Sequence, residues 1–196
     1  TYAFITAPGH EHVAPATIPG LYERTVTIAS FSKTYAVTGW RVGFAAAPAP
    51  LMASIRKVHD FLTVCAPAGS QRALVAALDL PASFYADTAA TYHARGERLR
   101  AGLEAAGWRC NRPQGTYFLL LDVRDLGVQD DRTWSVELAR THHVAGVPGS
   151  AFLWDGLPHE DRPSDRRGTF LRLSFGKSEA LIDQAIANLA GGPTSL

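Results

Sequence analysis

One stretch limits the possible folds more than any other: a long amphipathic helix followed closely by an apolar strand. From Tyr85, the residues Ala89, Tyr92, Gly96, Leu99, Leu103 and Ala106 recur at alternating spacings of four and three, one stripe on a helix over 82–106. Gly107 stands where such a helix ends in a left-handed residue. Thr116-Tyr117-Phe118-Leu119-Leu120-Leu121 then runs without polar alternation, the pattern of a strand buried on both faces. Around this pair, strands and helices alternate, so the fold class is α/β or α+β.

The remaining segments fit that alternation. Residues 4–24 are rich in Gly, Pro and His and read as a loop with a short helical turn. Thr25–Ala29 and Val42–Ala46 read as buried strands. Leu51, Ile55, Val58 and Leu62 mark a helix over 50–61, and a second runs from Ser70 to Leu78. Beyond the central strand come a helix from Thr133 to His142, a strand over Val144–Val147 and an alternating strand over Thr169–Phe175. The last helix is Ser178–Leu189, with Leu181, Ile182, Ala185, Ile186 and Leu189 on one face. The charged stretch Asp155–Arg167 reads as a solvated loop. A domain boundary is expected near Pro81.

Composition removes several function classes. The net charge of the 196 residues is +1, which lacks the basic surplus of a nucleic-acid or anionic-membrane binder. Cys65 and Cys110 form no Cys-x-x-Cys pair, so neither a disulfide scaffold nor a thiolate zinc site is expected, and a reducing, cytoplasmic compartment fits. Pro48, Pro50 and Arg56 break the best candidate for a membrane span. His10-Glu11-His12 and His142-His143 lack the helical spacing of a zinc protease, and no metal site is expected. Gly176-Lys177-Ser178 ends like a phosphate-binding loop, but Leu171 stands where that motif needs glycine. The start at Thr1 shows no signal-peptide pattern, and the chain is expected to be cut or part of a longer one.

Chemistry concentrates in Ser30-Phe31-Ser32-Lys33-Thr34-Tyr35-Ala36-Val37-Thr38-Gly39-Trp40-Arg41-Val42-Gly43. A lysine leaves a buried strand among small hydroxyl residues, and an arginine follows eight residues later. Burying a lysine cation is costly unless its nitrogen is consumed covalently as a Schiff base. Two hydroxyls and a guanidinium supply the short donors and the bidentate fork that a phosphate monoester takes. Lysine plus phosphate cradle describes a pyridoxal phosphate site. By spacing alone, a surface hairpin with a solvated lysine and arginine fits equally well.

The segment resembles the lysine motif of class I/II aminotransferases, Ser-x-Ser-Lys-x-x-x-x-x-Gly-x-Arg-x-Gly, which are fold-type I pyridoxal phosphate enzymes. The resemblance implies that Lys33 carries the cofactor as a Schiff base and shuttles the proton. It implies that Ser30 and Arg41 hold the cofactor phosphate with Ser32 beside them, and that Tyr2 hydrogen-bonds the pyridine 3′-oxygen. Pro113–Asp122 and Val147-Pro148-Gly149-Ser150-Ala151-Phe152 resemble small-domain strands of the same family. In the strand over 169–175, period-two geometry puts Leu171, Leu173 and Phe175 on one face and Phe170, Arg172 and Ser174 on the other. An ordinary edge-strand arginine fits that pattern; the resemblance implies that Arg172 grips the substrate α-carboxylate.

The family's pyridine-binding aspartate, its Asn-Pro-x-Gly motif and its glycine-containing phosphate loop are absent. The expected fold is therefore the C-terminal part of a fold-type I pyridoxal phosphate transferase. Residues 1–80 would be the incomplete end of the large cofactor-binding domain, and residues 81–196 the small α/β domain. The implied activity of the complete protein is amino-group transfer between an amino acid and a 2-oxo acid, in a homodimer, with the fragment alone inactive. A related C–S lyase or synthase, or a non-catalytic remnant, are the alternatives.

Overall fold

A computed structural model describes residues 1–128, 130–152 and 170–193. Among these, the chain divides into two compact units, Thr1–Ala89 and Ala90–Leu196, described separately here. The division falls inside a helix, beyond Pro81. The stretch Asp155–Arg167, read as a solvated loop, and the start of the strand at Thr169 lie outside the described residues.

The first unit holds a two-stranded antiparallel sheet, β1 (Thr27–Ser30) and β2 (Gly43–Ala46), with Ser30 opposite Gly43. Helices α1 (Ala49–Leu62) and α2 (Ala68–Leu78) follow, and the start of α3 (Ala82–Ala105) completes the unit. Two short helical turns, Pro15–Thr17 and Tyr22–Arg24, occur in the Gly/Pro-rich opening. These strands have the apolar sequence of buried strands but lie open, as expected where the sheet of an incomplete domain lacks neighbours. Ile28 is 77% exposed and Phe44 50%, because each strand has a single ladder neighbour. The apolar stripe of α1 likewise stays in the open, with no residue of that helix buried.

The second unit contains the remainder of α3 and a four-stranded antiparallel sheet. Its strands are β3 (Arg109–Cys110), β4 (Phe118–Asp122), β5 (Val147–Pro148) and β6 (Phe170–Ser174), in the order β3-β4-β6-β5. Helix α4 (Asp131–His142) precedes β5, and α5 (Glu179–Asn188) closes the unit. Leu119 and Leu121 from β4 and Leu171 and Leu173 from β6 share one buried face, packed in a core with Leu99 and Leu103 of α3 and Ile182 of α5. Burying each such side chain contributes about 1.5–3 kcal/mol. Trp108 is buried in the same core, and its indole N–H is satisfied by the Leu189 carbonyl at 2.9 Å.

Several boundaries moved for identifiable reasons. Helix α3 ends at Ala105, and Gly107 takes φ +86°, the left-handed geometry that favours glycine. The strand expected from Thr116 begins at Phe118, because Thr116 has φ 66° and its hydroxyl accepts the Phe118 N–H at 3.2 Å. That strand is not buried on both faces: Leu119 and Leu121 are buried, while Phe118, Leu120 and Asp122 are half-buried. The expected Val144–Val147 strand reduces to Val147–Pro148, and His143 ends α4 with φ 54°. Helix α4 starts at Asp131 because Asp130 caps it, accepting from the Arg132 N–H. In α5, Leu181 is 54% exposed and lies off the core face. Among the described residues, no helix is long and apolar enough to cross a membrane.

Candidate active site

The loop from β1 to β2 is closed at its base by the Phe31 N–H, which donates to the Val42 carbonyl at 3.3 Å. Gly43 is required there, since a Cβ would stand 2.4 Å from the Ala29 carbonyl oxygen. Inside the loop, the Ser30 hydroxyl donates to the Ser32 hydroxyl at 2.8 Å and accepts the Ser32 N–H at 3.1 Å. Ser32 itself is buried. Its carbonyl accepts from the Val37 N–H at 3.0 Å and from the Thr38 hydroxyl at 3.2 Å.

Thr38 gathers the rest. Lys33 Nζ donates to Thr38 Oγ1 at 3.2 Å, and Arg41 Nη1 donates to the Thr38 carbonyl at 3.0 Å. Four of the residues expected from the sequence, Ser30, Ser32, Lys33 and Arg41, therefore meet in one loop through Thr38. Sequence reasoning gave Thr38 no role of its own; the signal was a further hydroxyl just before the Gly-x-Arg. Ala36 and Arg41 both adopt φ 55°, left-handed geometry that non-glycine residues hold only when surrounding bonds enforce it. The premise that Lys33 is buried does not hold. The residue is half-buried and its bond to Thr38 is exposed.

Aromatic rings back the loop. Tyr35 stacks on Phe84 with centroids 5.9 Å apart, and its hydroxyl lies 2.7 Å from that of Tyr85. Burial, then the Tyr85 hydrogen bond, pushes the Tyr35 phenol up to about 12, so it stays neutral. Tyr2 is half-buried in a turn whose base is the Ile5 N–H donating to the Tyr2 carbonyl at 2.9 Å.

Arg172 belongs to the second unit. It sits in the middle of β6, opposite Leu120 of β4 and Val147 of β5, on the face turned away from the leucine core. Its guanidinium carbon lies 4.0 Å from the Phe118 ring centroid and 4.5 Å from that of Phe152. Arg172 Nε is buried and has no hydrogen-bond partner among the described residues. A guanidinium stacked between two rings keeps its edge for a planar anion, and an orphaned N–H is what a carboxylate would satisfy. Neither phenylalanine was singled out in the sequence, although both lie in the stretches that resemble small-domain strands.

The donor set fits the cofactor that the motif implies. The serine hydroxyls and the Arg41 guanidinium suit a phosphate dianion, with a primary amine beside them. Among the described residues, no group of three or more His, Cys, Asp or Glu side chains is placed to hold a metal ion.

Comparison with known proteins agrees. The family model for aminotransferase class I and II matches residues 5–189. The chain is 31% identical to kynurenine–oxoglutarate transaminase of Dictyostelium discoideum, covering 96% of this chain and 46% of that protein. It is 34% identical to methionine aminotransferase of Escherichia coli, again covering 96% of this chain and 46% of the relative. The solved structure of N-succinyldiaminopimelate aminotransferase of Mycobacterium tuberculosis superposes with a TM-score of 0.86 at 33% identity, covering 96% of this chain and 47% of that one. The chain thus spans about half the length of the curated relatives it matches. The mixed α/β fold is that of part of a fold-type I enzyme, and the family depends on pyridoxal phosphate. On the family match along nearly its whole length, the chain belongs to the class I and II aminotransferases.

Proposed function

We propose that the protein carrying this chain is a pyridoxal phosphate-dependent aminotransferase that moves an amino group between an amino acid and a 2-oxo acid. The observation that carries the reading is the Lys33 amine, bonded to Thr38 inside a loop that also gathers Ser30, Ser32 and Arg41. When bound, the cofactor supplies a carbonyl for amine exchange and a ring that accepts the electron pair left at the substrate Cα.

The chain's own residues do the rest. The Ser30 and Ser32 hydroxyls and the Arg41 guanidinium hold the phosphate, and the Tyr2 phenol donates to the ring oxygen. Lys33 Nζ is the covalent anchor. Once freed from the cofactor, Nζ would be the base that takes the Cα proton and delivers it to the cofactor's carbonyl carbon, across the shared nitrogen. Arg172 binds the α-carboxylate with two parallel bonds.

In this reading, residues 1–80 are the C-terminal part of the large cofactor-binding domain and 81–196 form the small domain. The enzyme is a cytoplasmic homodimer.

Product analysis on the full-length protein tests the reading. Incubated with pyridoxal phosphate, an amino-acid panel and 2-oxoglutarate, it should form glutamate in step with a new 2-oxo acid. The Lys33→Ala variant should lose both turnover and the absorbance of lysine-bound cofactor. Release of ammonia or a thiol without glutamate would make the protein a lyase, and an unchanged absorbance band in Lys33→Ala would remove the lysine from the site.

A further inference from the structure

We propose that Asp131 is a positioning residue for Arg172, acting through the helical turn Gly149–Phe152; this rests on the reading of Arg172 as the carboxylate anchor. Asp131 opens α4 and is only 2% exposed. Its Oδ2 accepts the backbone N–H of Ser150 at 2.8 Å. Ser150 is itself buried, and its hydroxyl accepts from Arg132 Nε at 3.4 Å. Two residues of α4 thus hold one residue of the turn from both its backbone and its side chain.

The turn carries Phe152. That ring lies 4.5 Å from the Arg172 guanidinium carbon and stacks on Phe170, with centroids 6.1 Å apart and planes 19° apart. Among the described residues no acceptor fixes Arg172 Nε. The direction of the fork is therefore set by the rings on its two sides, Phe118 and Phe152. Phe118 is fixed by the β4 ladder, opposite Ser174. Phe152 lies outside any strand, and its place depends on the turn that Asp131 pins.

A buried carboxylate is costly, and its position at the first turn of α4 accounts for part of its tolerance. A helix start has no need of a buried acid once Asp130 caps it. The bond to Ser150 is the contact that gives the acid a further purpose, which is to hold an aromatic wall against the substrate-binding arginine. The consequence is specific. Loss of the pin should weaken every ligand that presents a carboxylate to Arg172, amino acid and 2-oxo acid alike, without touching the cofactor.

The test is kinetic, on the full-length holoenzyme. Asp131→Ala should raise KM for both amino donor and 2-oxo acid by about five-fold, the scale of one desolvated cation–ring contact. The turnover number and the absorbance of bound cofactor should stay within about two-fold, since no step of proton transfer is touched. Asp131→Asn keeps an acceptor for the Ser150 N–H and should restore both KM values. Phe152→Leu should reproduce the rise, and in combination with Asp131→Ala should add nothing further, because both act on one contact. If Asp131→Ala does not accumulate as folded protein, Asp131→Ser is read in its place by the same criteria. Unchanged KM values in a folded variant, or effects that add fully with Phe152→Leu, overturn the proposal. Arg172→Lys separates the two ideas: if it leaves KM unaltered, the carboxylate-anchor reading fails, whereas a raised KM there with an inert Asp131 removes only the positioning role.

Discussion

Lys33 Nζ and the Thr38 hydroxyl stand 3.2 Å apart, and the same hydroxyl donates to the Ser32 carbonyl, also at 3.2 Å. One threonine thus ties the amine to the end of β1, where Ser30 and Ser32 lie. Its backbone carbonyl ties in the arginine as well.

Thr38→Val should therefore cost more than its exposure suggests. The substitution is nearly isosteric but removes one acceptor and one donor, each worth about 1 kcal/mol in a typical hydrogen bond. The full-length enzyme should bind pyridoxal phosphate about ten-fold more weakly, while Thr38→Ser, which keeps the hydroxyl, should bind normally. Equilibrium titration followed by cofactor absorbance reads both. Equal affinity in the valine and serine variants would mean that the hydroxyl contributes nothing to the site.

Arg172→Lys conserves charge and loses geometry. An ammonium cannot make two parallel bonds to a carboxylate, nor stack flat between Phe118 and Phe152. We expect KM for amino acids and 2-oxo acids to rise about ten-fold or more, the scale of a lost charge-assisted hydrogen bond. Cofactor affinity should be unaltered. Steady-state kinetics with both substrates is the measurement, and a parallel loss of cofactor would point instead to a general collapse of the second unit.

Not all of this was legible in the sequence. The stripe from Tyr85 to Ala106 and the alternation around Arg172 are local patterns, and the structure follows them: Leu99 and Leu103 are buried, and Leu171 and Leu173 face the core. The loop from Ser30 to Gly43 could be read as a unit because its bonds join residues close in sequence. Thr38 escaped notice because a lone hydroxyl has no periodic signature. The clamp on Arg172 escaped for a different reason. Phe118 comes from β4 and Phe152 from a turn after β5, so only the register of β4 and β5 on either side of β6 brings them together. Ile28 and Phe44 read as strand residues that a full sheet would bury, and they stand exposed because residues 1–80 hold too few strands to cover them.

Alkaline titration should report on the Tyr35–Tyr85 pair. The Tyr35 phenol is raised from 10.0 to about 12 in the folded chain, first by burial and then by the Tyr85 hydrogen bond. A raised pKa means that the folded state keeps its proton longer than the unfolded one. The associated stability is complete below pH about 10 and is lost as pH rises toward about 12. Tyr35→Phe should flatten that decline in a denaturation series between these values. It should also lower stability at neutral pH, where the hydroxyl pair is intact. A slope identical to that of the parent would show that the Tyr35 phenol titrates normally.

The last expectation concerns the 196-residue chain made alone. A two-stranded sheet is marginal in water, and β1 and β2 carry Ile28 and Phe44 largely exposed. The four-stranded sheet differs: its central strands β4 and β6 each have two ladder neighbours and a covered leucine face. Amide exchange should therefore be slow in 118–122 and 170–174 and fast throughout 27–46, with protection differing by orders of magnitude. Because the Lys33 loop hangs from the weak hairpin, pyridoxal phosphate should bind this chain poorly, and transamination should be undetectable beside that of the full-length protein. Raising the cofactor concentration should protect 27–46 selectively, since ligand that binds only the ordered loop stabilises it by mass action. Strong protection of β1 and β2 without cofactor, or turnover matching the full-length enzyme, would show that the hairpin needs no further support and that the exposed Ile28 and Phe44 cost it nothing.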